Sequence, residues 1–230
     1  MRARRPVPDA PTELGERDGL SYALYLPAQA PQGSVLIVHG AGSCKESHFD
    51  FARAARAHGL AALALDLPGH GESKGPLTGD VLDDLRLAAA ILPPGPLALR
   101  GSSMGGYLAL VAAGPLGAAA VVAICPAGSE HLLRGLRSGT LDFAAEPESL
   151  EQFLAAHDPL DAVAKLHAPL LLLHAEGDER IPYEHSVALH DAAIADPKRL
   201  IVVPGGHHRT VQHDPELQAV ALRFLQRALA

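Results

Sequence analysis

Two serines stand between glycines in residues 97–107, which read LALRGSSMGGY. The segment contains the pattern Gly-x-Ser-x-Gly, with an apolar run before it and a helix-like run after it. This pattern is typical of a sharp strand-to-helix turn that exposes a nucleophilic serine. Glycines lie two residues before and two after Ser103, whereas Ser102 has Arg100 and Met104 at those positions. The sequence therefore predicts Ser103 as a nucleophile and the backbone N–H of Met104 as an oxyanion donor.

A serine hydroxyl is a weak nucleophile at neutral pH, so it needs a base that is itself oriented by a carboxylate. In enzymes with this turn, the acid and then the histidine follow the serine along the chain. The acidic candidates after Ser103 are Glu130, Glu176, Asp178 and Glu179. The base candidates are His207 and His208, which are adjacent in the segment PGGHHR. Residue type alone leaves both choices open.

Elements able to position these groups alternate along the chain. Short apolar runs predict buried strands, and longer segments with helical spacing predict helices. The predicted strands are residues 21–26, 35–38, 61–65, 97–99, 118–124, 170–173 and 200–203. The predicted helices are residues 46–58, 80–92, 104–113, 183–195 and 215–229. This alternation predicts one α/β domain over residues 1–230, with a mostly parallel central sheet flanked by helices and an antiparallel strand near its edge.

Residues 126–159 interrupt the alternation because they contain no strand. Their leucines and phenylalanines recur at spacings that suit short helices and need an apolar surface to pack against. We expect a small helical cap inserted above the strand ends.

Composition restricts the partners and the compartment. The chain has 230 residues and a formal net charge of −7, which gives no electrostatic basis for nucleic-acid binding. The most membrane-like stretch, residues 107–125, is interrupted by Gly114, Pro115 and Gly117, so no membrane association is expected.

Residues 1–5 carry three arginines without a following apolar run and are expected to be a solvated tail. With only Cys44 and Cys125, no disulfide is expected, and a cytoplasmic location is predicted.

Three motifs together resemble the α/β-hydrolase family. They are VLIVHGAG at residues 35–42, LDLPGHGES at residues 65–73, and GSSMGG at residues 101–106. The resemblance extends from about residue 21 to the last predicted helix. It implies that the backbone N–H of Ala41 is the second oxyanion donor, and that His39 and His70 are structural residues rather than bases.

The resemblance also implies an acid and a base. Residues 177–182, GDERIP, are similar to the Gly-Asp-x-x-Val/Ile-Pro segment that carries the acid in the family, which selects Asp178. The family spacing Gly-x-x-His, counted from Gly205, selects His208 over His207. His39, Phe143 and Phe153 are named as candidates for the substrate pocket, although packing explains both rings as well.

These features imply a serine carboxylesterase that cleaves short- to medium-chain esters through an acyl-enzyme on Ser103. The family members that the chain resembles are small carboxylesterases, including the feruloyl-esterase type. The expected partner is a small-molecule ester, and no cofactor or metal is expected. An acyl-thioesterase, a peptidase or a perhydrolase would use the same groups, and a non-catalytic binding module is a further alternative. Neither the natural substrate nor the oligomeric state follows from the sequence.

Overall fold

Eight strands form one mixed sheet in the computed structural model, which describes residues 9–230. The strands are β1 (Glu13–Arg17), β2 (Leu20–Tyr25), β3 (Ser34–Val38), β4 (Ala61–Leu65), β5 (Leu97–Ser102), β6 (Ala120–Ile124), β7 (Leu170–Ala175) and β8 (Lys198–Val203). Their order across the sheet is β1-β2-β4-β3-β5-β6-β7-β8. The pairs β1–β2 and β2–β4 are antiparallel, and every other pair is parallel. The predicted α/β fold with a mostly parallel sheet is confirmed.

Helices cover both faces of this sheet. They are α1 (Phe49–Ala57), α2 (Val81–Ala89), α3 (Met104–Ala112), α4 (Ser129–Ser138), α5 (Pro147–Ala156), α6 (Pro159–Val163), α7 (Glu184–Ala192), α8 (Thr210–His213) and α9 (Pro215–Ala228). Three of them begin with the same local signal, a proline in the first turn behind an acidic cap. Glu146, Asp158 and Asp214 accept hydrogen bonds from the first free backbone N–H groups of α5, α6 and α9. These caps explain why the three helices begin at those residues.

Strand β3 shows how the sheet divides the core into two halves. Leu36 and Val38 pack in the cluster that includes residues of α2 and α3. Val35 and Ile37 pack on the opposite face, in the cluster that includes residues of α1 and α9. All four side chains are completely buried. Because both faces are covered, a central strand of this sheet is an uninterrupted apolar run rather than an alternating one.

The segment between β6 and β7 contains α4, α5 and α6 and is bonded to the loop that follows β4. The Leu77 N–H donates to Ala144 O at 2.9 Å, and the Glu146 N–H donates to Leu77 O at 2.8 Å. The Ala144 N–H donates to Gly69 O at 3.3 Å. These bonds hold residues 144–146 beside residues 69–77.

The thiols, the apolar helices and the N-terminal tail were each the subject of a sequence prediction. Cys44 and Cys125 are both free thiols in the structure. Within residues 9–230, no helix has both the length and the apolar character needed to cross a membrane. The solvated tail predicted at residues 1–5 lies outside the described residues, and the cytoplasmic location stays a prediction.

Candidate active site

Ser103 lies at the junction of β5 and α3 with a strained backbone. Its φ of 56° and ψ of −120° are unusual for a residue with a side chain. The turn requires glycine on both sides. A Cβ on Gly101 would lie 1.9 Å from Gly105 O, and a Cβ on Gly105 would lie 2.1 Å from Val38 O. The two glycines of the motif therefore let α3 start directly against β5 and β3.

The loop after β3 approaches Ser103 closely. A Cβ on Gly40 would lie 3.0 Å from Ser103 Cβ and 3.7 Å from Ser103 Oγ, so a larger residue would crowd the serine. Within residues 9–230, the backbone N–H groups of Ala41 and Met104 donate to no other protein group. Ala41 lines the same cavity as Ser103, and Met104 follows Ser103 at the start of α3. Both N–H groups are available to a ligand beside the serine.

His208, which lines the same cavity, is paired with the buried Asp178. His208 Nδ1 lies 2.7 Å from Asp178 Oδ2. A carboxylate accepts and does not donate, so Nδ1 carries the proton and the neutral ring leaves Nε2 as an acceptor. Both His208 and Ser103 line the cavity. The neighbouring His207 side chain is 78% exposed and makes only a 3.9 Å contact with Glu179.

Asp178 accepts three hydrogen bonds and makes a fourth polar contact. Its Oδ1 accepts from the backbone N–H groups of Arg180 and Ile181, each at 2.9 Å. Its Oδ2 contacts His174 Nε2 at 3.2 Å as well as His208. Burial raises the pKa of Asp178, but the bonds from His174, His208 and the two amides outweigh it and hold the pKa well below its usual range. Asp178 is therefore a charged, completely buried carboxylate.

The other acidic candidates lie elsewhere. Glu176 and Glu130 are exposed, the first after β7 and the second in α4. The Glu179 side chain is 56% exposed, and its Oε2 accepts from the backbone N–H of His208 at 3.1 Å. Among the four candidates, only Asp178 has a carboxylate bonded to the His208 ring within the described chain.

The low pKa of Asp178 predicts an acid-dependent contribution to stability. A carboxyl group whose pKa is lower in the folded than in the unfolded chain stabilises the fold above its unfolded pKa of about 4. The contribution disappears as the pH falls through the folded pKa. We expect Asp178→Asn to lower the free energy of unfolding by about 2 to 4 kcal/mol at pH 7. Urea unfolding at a series of pH values should show this gap narrowing below about pH 4.

The exposed Glu176 supplies the control for that experiment. Glu176→Gln should change the free energy of unfolding by less than about 0.5 kcal/mol at any pH. A gap between wild type and Asp178→Asn that stays constant through the acid range would contradict the assigned charge state of Asp178.

Cys125 completes a buried group around the acid and the base. Potential ligand atoms of Cys125, Asp178 and His208 lie within 4.8 Å of one another. Burial, reinforced by the Asp178 carboxylate, raises the pKa of the Cys125 thiol. The thiol therefore stays protonated, and the His208–Asp178 bond already occupies the other two side chains. This environment suits neither a nucleophilic cysteine nor a preformed metal site.

The three residues named for the substrate pocket are packed rather than open. The His39 ring is completely buried, donates from Nδ1 to Gly40 O at 2.8 Å and accepts at Nε2 from the Leu67 N–H at 3.0 Å. Burial lowers its pKa to about 4, so it is neutral at pH 7. His39 lines neither cavity beside Ser103, and its position corrects the expectation that it contacts substrate.

Phe143 and Phe153 lie at a small apolar cavity under α4 and α5. Phe143 stacks on His70 with ring centroids 4.4 Å apart, and Phe153 stacks on His157 at 4.2 Å. Both rings line the cavity, which also contacts Met104 and has a volume of about 10 Å³. It is large enough for about one water molecule and too small for an acyl chain.

A larger cavity of about 290 Å³ opens directly at Ser103 and His208. Its walls come from the loop after β3 and from the segment between β8 and α9. The volume lies at the small end of the range for small-molecule sites.

A buried ion network fixes the loop after β3 that carries Ala41. Asp66, at the end of β4, accepts from the Lys45 backbone N–H and from Lys45 Nζ, both at 2.7 Å. Lys45 Nζ also lies 2.7 Å from Glu72 Oε2, and the Glu72 N–H donates to Asp66 Oδ2 at 2.9 Å. The loops after β3 and β4 are thereby locked together. The sequence carries no local signal for this role of Lys45, because the lysine lies 21 residues before its main partner.

Two further residues near the site were not predicted to act there. His174 is the satisfied core residue that was expected, since it is completely buried and its ring nitrogens bond Ser186 Oγ and Ile181 O. Its Nε2 also lies 3.2 Å from Asp178 Oδ2, which was not predicted. Arg100, inside β5, is 1% exposed and donates to Gln212 O at 3.2 Å, which connects β5 to α8. A charged residue within an apolar strand, two positions before the serine pair, was the available signal for Arg100.

Two protein-family models match parts of the chain. The family model described as "Prolyl oligopeptidase family" matches residues 87–230, and the model described as "Serine aminopeptidase, S33" matches residues 29–138. An uncharacterised protein of Escherichia coli O157:H7, YfhR, is 29% identical over 79% of this chain. The chain spans 65% of the length of that relative.

The chain is also similar to a monoacylglycerol lipase in sequence and to Est1E in structure. A monoacylglycerol lipase of Mycolicibacterium smegmatis is 28% identical, with 86% of this chain and 89% of the lipase aligned. The structure of Est1E from Butyrivibrio proteoclasticus with bound ferulic acid superposes with a TM-score of 0.70 at 23% identity, covering 92% of this chain and 96% of Est1E. The structural match supports the same fold.

Proposed function

We propose that this chain, which belongs to the α/β-hydrolase family and to its prolyl oligopeptidase group, is a serine carboxylesterase. One observation carries the proposal. His208, whose Nδ1 is bonded to the buried Asp178, lines the same cavity as Ser103 in its strained turn. Similarity to a monoacylglycerol lipase is consistent with ester chemistry.

In the proposed reaction, Ser103 Oγ attacks the ester carbonyl carbon while His208 Nε2 takes its proton. The backbone N–H groups of Ala41 and Met104 stabilise the oxyanion. His208 then protonates the leaving alcohol, and water attacks the acyl-enzyme with His208 again as the base. Asp178 keeps the proton on Nδ1 and stabilises the imidazolium that forms at each step. His174 acts as a positioning residue because it contacts the same oxygen of Asp178.

The names of both matching family models describe peptidases, so a peptidase must be weighed against an esterase. An aminopeptidase needs an acidic group to hold the ammonium of its substrate. The cavity at Ser103 is lined by no aspartate or glutamate among residues 9–230, and it contains Arg180 and Arg209. A positive wall repels an ammonium group, which favours ester over aminopeptidase chemistry.

We also propose that residues 126–159 form a cap that limits the acyl chain. Residues 144–146 are bonded to the loop after β4, and the apolar cavity beneath α4 and α5 holds only about 10 Å³. Each methylene that the site can bury contributes roughly 0.8 kcal/mol, and the contribution ends where the walls end. Substrates with short to medium acyl chains follow from these dimensions.

A series of acyl esters tests this proposal. We expect kcat/KM to be highest between C2 and C8 and to fall for longer chains. A fluorophosphonate probe should label the wild-type protein, because it reacts with an activated serine. The measurement is kcat/KM from C2 to C16, beside a feruloyl ester, an acyl-thioester and a peptide.

Three results would replace the proposal. A maximum at C12 or longer would contradict the limited acyl site. A thioester or a peptide preferred by more than about tenfold would change the reaction class, since tenfold corresponds to roughly 1.4 kcal/mol. A folded protein without labelling or turnover would support a binding module.

A further inference from the structure

The cavity at Ser103 has an unbalanced charge. Of the residues that line it, Arg180 and Arg209 carry full positive charges, and none among the described residues is acidic. Resting on the proposed esterase function, we propose that the substrate carries a carboxylate beside its ester bond and that Arg180 and Arg209 recognise this carboxylate. The substrate class is therefore a small half-ester of a dicarboxylic acid or an ester of a hydroxycarboxylic acid.

Both arginines are available to a ligand. Within residues 9–230, the Arg209 guanidinium has no hydrogen-bond or ion-pair partner. Arg180 Nε lies 3.9 Å from Glu179 Oε1, and both side chains are more than half exposed. An exposed pair at that distance contributes little and leaves the guanidinium free to bind. A substrate carboxylate would meet two donors that have no stronger partner within the protein.

Several acidic groups lie near the cavity without lining it, among them Asp178, which is bonded to His208. His213, also in the cavity wall, is paired with Asp50 at 3.1 Å. Lys45 contacts three carboxylates, those of Glu46, Asp66 and Glu72, so this network has an excess of negative charge, although none of these residues lines the cavity. Within residues 9–230, Arg180 and Arg209 are the only arginine or lysine side chains in the lining of the cavity, and no carboxylate lies in that lining.

A third cation lies buried next to the wall. Arg100 has no carboxylate partner within salt-bridge distance in the described chain. Its guanidinium packs on the Phe51 ring at 4.0 Å and donates to His48 Nδ1 and to the carbonyl of Gln212, a residue of the cavity wall. A buried, unneutralised charge acts over a longer range than an exposed one, because solvent screens it less. Arg100 therefore adds to the positive potential at the wall, whereas the buried Asp178 carboxylate behind His208 acts in the opposite sense.

The chemistry of the wall favours a carboxylate over a neutral group. A guanidinium presents planar N–H donors that match the two oxygens of a carboxylate. The chain as a whole has a formal net charge of −7, so a cavity whose lining contains two arginines and no carboxylate differs in sign from the molecule as a whole. With about 290 Å³ available, the carboxylate must lie only a few bonds from the ester that Ser103 attacks.

Matched ester pairs test the proposal and locate the carboxylate. On the acyl side the pair is monoethyl fumarate and its amide, ethyl fumaramate. On the alcohol side the pair is 4-acetoxybenzoate and 4-acetoxybenzamide. Each kcat/KM is divided by the rate constant for hydroxide hydrolysis, which removes intrinsic reactivity. In one of the two arms we expect the carboxylate to be preferred by about tenfold or more in the wild type.

The arginine variants provide the specific readout. Arg180→Gln and Arg209→Gln should each lower the carboxylate-to-amide ratio, and the double variant should bring it close to one. The ratio cancels any general loss of activity. Arg137→Gln is the matched control, since it removes the same charge from an exposed arginine on α4 that pairs with Glu151. This control should keep the wild-type ratio.

Two outcomes would overturn the proposal while leaving the esterase intact. One is a ratio of one or less in both arms for a wild type that hydrolyses the neutral esters. The other is an equal fall of the ratio in Arg137→Gln, which would indicate a general charge effect. Absence of both ester turnover and fluorophosphonate labelling would instead overturn the esterase function and this inference together.

Discussion

Ser103→Ala is expected to lower the kcat of ester hydrolysis by about 10⁴- to 10⁶-fold, whereas Ser102→Ala should retain most of the activity. Ser103 occupies the strained turn with φ of 56° and opens onto the cavity that His208 also lines. Alanine has no oxygen to attack the carbonyl, so the acyl-enzyme cannot form. Steady-state kinetics on a short aryl ester and labelling by a fluorophosphonate measure the loss directly.

Ser102 is the matched control because it differs from Ser103 by one position in the same segment. It is the last residue of β5, is 5% exposed, and lines the same cavity. Replacing Ser102 by alanine removes a hydroxyl group from the lining of the same cavity and leaves the turn at Ser103 unchanged. If Ser102→Ala were inactive and Ser103→Ala remained active, the assignment of the nucleophile would be wrong. Circular dichroism of both variants separates a catalytic loss from misfolding.

Apolar patterning predicted the fold well where elements are buried and long. Buried strands such as β4 are covered on both faces, so their apolar runs stand out in the sequence. By contrast, β1 has the sequence ELGER with mostly exposed side chains, and it pairs only at the edge through β2. Helix α8 has four residues, too few to show a helical period. Neither element carries the hydrophobic signal on which the prediction depended.

Strand β5 illustrates a different limit. The predicted strand covered only the apolar residues 97–99, yet the strand continues through Arg100 to Ser102. Arg100 is tolerated in the core because Phe51 packs against its guanidinium and Gln212 O accepts from it. Both partners are distant in sequence, so a local pattern cannot reveal them.

The turn at Ser103 could be predicted because its motif is local in sequence. The cavity lining could not be predicted because it is formed by loops that are distant in sequence. The glycines around Ser103 are required by contacts within a few residues and with the adjacent strand, so the motif itself carries the signal. The cavity at Ser103 is lined by residues 40–44 of the loop after β3, by Arg180, and by residues between 208 and 213. His174 likewise reaches Asp178 only because the turn after β7 brings the carboxylate back towards the strand. Such contacts follow from the folded path of the chain and not from residue type.

His208→Ala is expected to lower kcat by about 10⁴- to 10⁶-fold and to abolish fluorophosphonate labelling, whereas His207→Ala should change both by less than about threefold. The two residues are chemically identical, so only the path of the chain separates them. Gly205 and Gly206 have φ values of 65° and 77°, a conformation that glycine adopts readily. The His208 ring lies 2.7 Å from Asp178, while the His207 side chain is 78% exposed.

The control variant should leave the loop unchanged. The His207 backbone N–H donates to Thr210 Oγ1 at 3.0 Å, and this bond survives replacement of the side chain by alanine. The wild-type rate should also rise from acid to neutral pH, because only a neutral imidazole accepts the serine proton. A selective loss in His207→Ala would transfer the base to that residue, and a flat pH profile would argue against either histidine. Because both variants remove an imidazole from the same loop, a difference between them can only come from the position of the ring relative to Ser103 and Asp178.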